Sequence, residues 1–146
     1  KFLVVGNINN SFGKKMISKY GADRRLIFCG AVFDKTKIGA LRKYSKLYFH
    51  GHSVGGTNPS LLEAMADGVL IAAHGNEFNR AVLQSDALYF NTAAEVHRLI
   101  DESDHSDTST AMPENNLQKI KEQFSWPAIV NSYEALFLDW YNKKKR

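Results

Sequence analysis

The chain has 146 residues and a single cysteine, Cys29. No intramolecular disulfide can form, and a lone thiol fits a reducing compartment. At the end of a short apolar run, Cys29 reads as a small core residue. No apolar run approaches the roughly 18 residues of a membrane span, so no transmembrane helix is expected. There is no internal repeat and no low-complexity segment. Aromatic residues are not interleaved with the basic ones, and no nucleic-acid-binding motif is present. The first residue is Lys1, with no start Met and no basic-then-apolar leader. This predicts a fragment without a signal peptide.

What is present is ordinary for a soluble globular protein: 44% hydrophobic and 23% charged residues. The length fits one domain, 1–146, able to bury a core without staples. The net charge of +4 favours anionic partners only weakly. Lys14, Lys15, Arg24, Arg25, Lys35, Lys37, Arg42 and Lys43 are spread out. The one dense run, 143–146, reads either as a solvated, frayed end or as weak attraction to an anionic membrane surface.

Short apolar runs alternate with helical patterns. Strands are expected at Phe2–Val5, 26–29, 47–50, 69–73 and 87–90. Helices are expected at 14–20, at 34–44 with Asp34 as cap and Ile38, Leu41 and Tyr44 on one face, after Asn58, within 75–83, and at 93–101 with Val96, Leu99 and Ile100 facing inward. Residues 102–111 are polar and aperiodic, and read as a loop. Two helices close the chain over 112–146, the first opened by Pro113 and the second capped by Ser125. The last carries a broad apolar stripe that includes Trp126, Tyr133, Phe137 and Trp140. This order predicts an α/β fold with a Rossmann-like parallel sheet flanked by helices, in which ligands sit at the carboxyl ends of the strands.

The segment HGHSVGGTNPSLLEAMADG, residues 50–68, carries the most chemistry. A strand runs into a glycine-rich turn and then a helix. Gly55 and Gly56 let backbone N–H groups approach a ligand. Asn58 is a good N-cap, Pro59 suits the first helical position, and Gly68 stands where a C-cap is expected. A helix N-terminus with free N–H groups attracts phosphate or another anion. Glu63, one turn in, is placed to accept hydrogen bonds from ribose hydroxyls, or it is a surface carboxylate stacked above Asp67. His50 and His52 share a strand face, but no third ligand lies near, so no metal site is expected. His52 near a diphosphate would donate a hydrogen bond or carry charge. The turn at 74–79 lies at another strand end.

Residues 61–68, Leu-Leu-Glu-Ala-Met-Ala-Asp-Gly, resemble the nucleotide-sugar site of GT-B glycosyltransferases of family 4, the retaining enzymes. The longer string HGHSVGGTNPSLLEAM is similar to a narrower group of bacterial polysaccharide rhamnosyltransferases. The resemblance covers nearly the whole chain but only the C-terminal half of such an enzyme. It implies that Glu63 holds the donor ribose, and that Gly55, Gly56, Thr57, Asn58 and Ser60 lie along the diphosphate. It also implies that His52, Ser53, Asn76 and Asn79 lie beside the diphosphate and sugar. The family's usual additional Glu, eight residues before the helix Glu, is Gly55 here, so the residue that contacts the transferred sugar is unassigned.

The resemblance further implies an absent first strand–helix unit, with its basic pair for the diphosphate, and an absent N-terminal acceptor domain to which the last helix crosses. A chain of this kind is expected to be inactive alone. The missing strand would lie between Phe2–Val5 and 47–50. The expected partners are a nucleoside-diphosphate sugar, with dTDP-rhamnose implied, and a glycan or lipid-linked acceptor. No cofactor and no nucleic acid are expected. The expected location is the cytoplasm, at the inner face of the membrane. Two other readings compete: another GT-B enzyme, such as a nucleotide-sugar epimerase or a phosphorylase, and a non-catalytic basic module that binds nucleic acid.

Overall fold

The computed structural model describes residues 1–103 and 111–144. The chain divides into two units, Lys1–Leu41 and Arg42–Arg146. Among the described residues five strands pair in parallel and form two sheets.

In Lys1–Leu41, β1 (Phe2–Val5) pairs with β2 (Leu26–Gly30), in register from Phe2 opposite Leu26 to Val5 opposite Gly30, with an irregularity between Val4 and Val5. The helix α1 (Ser11–Tyr20) starts earlier than its apolar pattern suggests, because Asn10 Oδ1 accepts the Gly13 N–H at 2.7 Å and caps it. Asp34 Oδ1 accepts the N–H groups of Thr36 and Lys37 and opens α2 (Lys35–Lys43). Gly13 is the only buried residue of this unit. Cys29 is exposed rather than a core residue. Strand alternation puts it on the same uncovered face as Ile27.

In the second unit, β3 (Tyr48–His50), β4 (Ile71–His74) and β5 (Leu88–Phe90) form a sheet in the order β3-β4-β5. Four helices join α3 (Pro59–Ala66) here: α4 (Glu77–Leu83), α5 (Ala93–Ser103), α6 (Ala111–Gln123) and α7 (Trp126–Lys144). The central strand β4 buries Ile71, Ala72 and Ala73 in succession, as a strand covered on both faces must. The helix α3 buries Leu61, Ala64 and Met65, the i, i+3, i+4 face of a helix lying on a core. These side chains, with Val69, Val82, Leu83 and Ala87, make one hydrophobic cluster.

A polar latch fastens α6. Lys119 Nζ lies 2.6 Å from Asp86 Oδ2, while Asn115 and Asn116 donate to the Asp86 carboxylate and carbonyl. Burial would raise the Asp86 carboxyl, but the hydrogen bonds from Lys119 and Asn115 outweigh it and hold the group below its ordinary value.

Three expectations change. Tyr44 lies beyond the end of α2 and is 84% exposed, so it has no place on a buried face. Leu99 of α5 is buried, but Ile100, a further 100° around the helix, is exposed. Of the expected loop 102–111, Glu102 and Ser103 are helical in α5 and Ala111 in α6; residues 104–110 lie outside the described residues. Of the basic run 143–146, Lys143 and Lys144 are helical, and Lys143 pairs with Asp139. Along α7, Trp126, Tyr133, Phe137 and Trp140 are exposed. Among the described residues no helix is long and apolar enough to cross a membrane.

Candidate functional site

His50, His52, Asn76 and Asn79 come together where β3 and β4 end. His50, the last residue of β3, is 1% exposed, and neither ring nitrogen has a hydrogen-bond partner. Burial, helped by the neighbouring His52, lowers its pKa to about 4. The ring is therefore neutral at physiological pH. His52 lies two residues on, as strand spacing requires, and its ring stacks on His50 with centroids 4.7 Å apart. Among the described residues no group of three His, Cys, Asp or Glu side chains is placed to hold a metal ion.

Residues 51–57 are exposed. Gly55 has φ 100°, a conformation that strains any residue with a Cβ. Gly56 does not share it, and a Cβ there would meet nothing within 4 Å. The conformational demand of the turn thus falls on Gly55 alone. Asn58 caps α3 as expected: its Oδ1 accepts the Ser60 N–H at 2.9 Å and the Ser60 hydroxyl at 2.8 Å. This changes the expected anion site. Pro59 has no N–H, the Ser60 N–H is taken by the cap, and the N–H groups of Leu61 and Leu62 bond to the Asn58 carbonyl. The donors left over belong to the turn. The N–H groups of Gly55, Gly56 and Thr57 make no hydrogen bond among the described residues. An anion would meet the turn before it met the helix.

Asn76 and Asn79 brace the site from within. Asn76 Oδ1 accepts the Asn79 N–H and caps α4, while Asn76 Nδ2 donates to the His52 carbonyl at 2.8 Å. Asn79 is 3% exposed, and its Nδ2 donates to the carbonyls of both His52 and His74. The amide donors expected to meet a sugar are committed to holding the start of the glycine-rich turn onto β4. Ser53 lies on the exposed stretch between.

Glu63 lies one turn into α3, with its side chain 57% exposed. It is not alone there. Arg42 Nη2 donates to Glu63 Oε2 at 2.7 Å, and Nη1 donates to Asp67 Oδ2 at 3.1 Å. The guanidinium lies 5.8 Å from the Tyr48 ring centroid. Burial opposes the charge on Arg42, yet the bonds to Glu63 and Asp67 prevail and raise its pKa. In the sequence Arg42 is one of the scattered basic residues. One signal was available: Glu63 and Asp67 are like charges at i, i+4, which repel unless a cation lies between them. That cation comes from 21 and 25 positions upstream, beyond any local pattern. Arg80 likewise carries no sequence signal of its own. Its Nε donates to the Gly75 carbonyl, and its guanidinium lies 4.1 Å from the Tyr89 ring centroid, near the end of β4.

The turn thus offers unpaired backbone N–H groups for an anion, and α3 offers a held carboxylate for hydroxyl donors; both suit groups of a phosphorylated sugar or nucleotide. Compared with known proteins, the chain matches no protein-family model and no curated protein.

Proposed function

We propose that this chain binds a nucleoside-diphosphate sugar and serves as the donor-binding half of a retaining GT-B glycosyltransferase. The observation that carries this reading is the row of unbonded N–H groups at Gly55, Gly56 and Thr57, exposed at the end of β3 and followed one helical turn later by Glu63. The diphosphate would lie on the turn, with the ribose hydroxyls on Glu63. As the sugar leaves, negative charge grows on the diphosphate, and fixed N–H dipoles stabilise that charge without reorganising. His52 sits at the edge of the same turn and is available as a further donor. The resemblance supplies the rest of the proposal: rhamnose as the sugar, a glycan or lipid-linked acceptor on a separate domain, and work at the inner face of the membrane.

The test is a titration of the full chain with a fluorescent nucleoside-diphosphate sugar, set beside single-stranded RNA at physiological salt. Saturable binding of the nucleotide sugar and none of RNA is expected. Gly56→Val sharpens the test. The free turn has room for the side chain, so stability should hold. Donor affinity should fall by at least about tenfold, roughly 1.4 kcal/mol, because the new methyl groups screen the N–H row. Equal affinity in the variant and the parent would remove the turn as the phosphate cradle.

A further inference from the structure

We infer that Arg42 is a positioning residue for Glu63: it fixes one carboxylate oxygen so that the other is presented to a nucleoside hydroxyl. The inference rests on the donor-site reading above and adds a residue to it.

The geometry has three parts. First, the Arg42 side chain is only 10% exposed, and its Nε is buried without a partner. A guanidinium in that position is retained only where other interactions offset its lost hydration. Second, its two terminal nitrogens go to different carboxylates. Asp67, 26% exposed, is the sheltered anchor, and Glu63, 57% exposed, is the outer one. Third, the guanidinium lies 5.8 Å from the Tyr48 ring centroid, within reach of a cation–π attraction.

A glutamate this exposed would otherwise sample several rotamers, and a ligand would have to freeze them on binding. The fork from Arg42 does this in advance. It occupies Oε2 and leaves Oε1 as the acceptor for a hydroxyl. The planar two-point geometry of Arg suits this task, and the point charge of Lys does not.

A latch that only stabilises the fold would weaken every ligand alike. A positioning residue acts through the hydroxyl that Glu63 contacts. The experiment therefore measures a ratio by calorimetry on the full chain: the affinity for thymidine diphosphate over that for 3′-deoxythymidine diphosphate, which lacks the 3′-hydroxyl of the sugar. Uridine diphosphate and its 2′,3′-dideoxy analogue form a second pair. The parent is expected to prefer the hydroxylated member of a pair by about tenfold, and Glu63→Ala to abolish the preference. Arg42→Met and Asp67→Asn are each expected to reduce it to threefold or less, with affinity for the dideoxy member unchanged.

If Glu63→Ala loses the preference while Arg42→Met and Asp67→Asn keep it, the positioning role is overturned and the donor-site reading survives. If the parent shows no preference, or Glu63→Ala keeps it, the ribose assignment fails and the positioning role fails with it. Should Arg42→Met prove unfolded by circular dichroism, Arg42→Lys and Asp67→Asn decide the question: full preference in both overturns the proposal, and reduced preference in both supports it.

Discussion

Lys1–Leu41 and Arg42–Arg146 are built from the same kind of sequence, short apolar parallel strands each followed by a helix, yet they bury very different amounts of it. The strand β4 has a neighbour on each edge and buries Ile71, Ala72 and Ala73 completely. The strand β1 has one described neighbour, β2, and leaves Phe2, Leu3 and Val5 each more than a third exposed. Apolar composition alone therefore does not make a core. A parallel strand becomes core when neighbours flank both edges and helices cover both faces. The candidate site follows the same division. Its turn, its braces and its carboxylate–guanidinium cluster all belong to the second unit, whose packed sheet holds them in place.

The largest expected effect tests that contrast directly. Leu61→Ala removes a side chain that is 1% exposed from the hydrophobic cluster, and should cost about 3 to 4 kcal/mol by urea unfolding. Leu3→Ala removes a side chain that is 43% exposed, and should cost about 1 kcal/mol or less. Equal losses would mean that β1 is covered in solution and that the two units do not differ as described.

His50 offers a second test, through pH. Its folded pKa of about 4 lies below the ordinary value of 6.5. Between these values the unfolded chain binds a proton that the folded chain refuses, so stability falls as pH drops from about 6.5 to 4 and levels off below that. The expected loss is on the order of 3 kcal/mol. Asp86, whose pKa is lowered, contributes stability that is present above its unfolded pKa and is lost as pH falls below about 4, so the two windows separate. His50→Leu should flatten the upper window. It also removes two unpartnered buried nitrogens, so at neutral pH it should be neutral or slightly stabilising. A pH profile identical to that of the parent would show that His50 titrates normally.

The local rules were legible in the sequence, and the long-range ones were not. The helix at Asn58 and Pro59, the end at Gly68 and the shared face of His50 and His52 follow from capping preferences and strand period, which act within a few residues. The parallel α/β class follows from the alternation of patterns. The division into two sheets falls at the break expected between Phe2–Val5 and 47–50, whereas the exposure of Cys29 and Ile100 and the pairing of Arg42 with Glu63 depend on what lies opposite in space. The fate of the helix N-terminus was a matter of local chemistry that the motif hid: the Asn58 cap that marks the helix so clearly also consumes the Ser60 donor that the anion was expected to use.

The smallest expected effect compares two glycines, one in each unit. Gly68 follows α3 with φ 68°, and its N–H bonds to the Met65 carbonyl at 3.2 Å. A Cβ there would stand 3.2 Å from Leu117 Cδ1. Gly68→Ala meets both the left-handed backbone penalty and the crowding against α6, and should cost about 1 to 2 kcal/mol. Gly6, just after β1, has neither constraint, since a Cβ there meets nothing within 4 Å and its φ is not left-handed. Gly6→Ala should be neutral, or stabilise by a few tenths of a kcal/mol by reducing the freedom of the unfolded chain. Paired urea midpoints measure both. A neutral Gly68→Ala would show that the end of α3 relaxes freely. Because Asp67, the anchor for Arg42, is the residue just before Gly68, such freedom would also loosen the carboxylate on which the positioning of Glu63 depends.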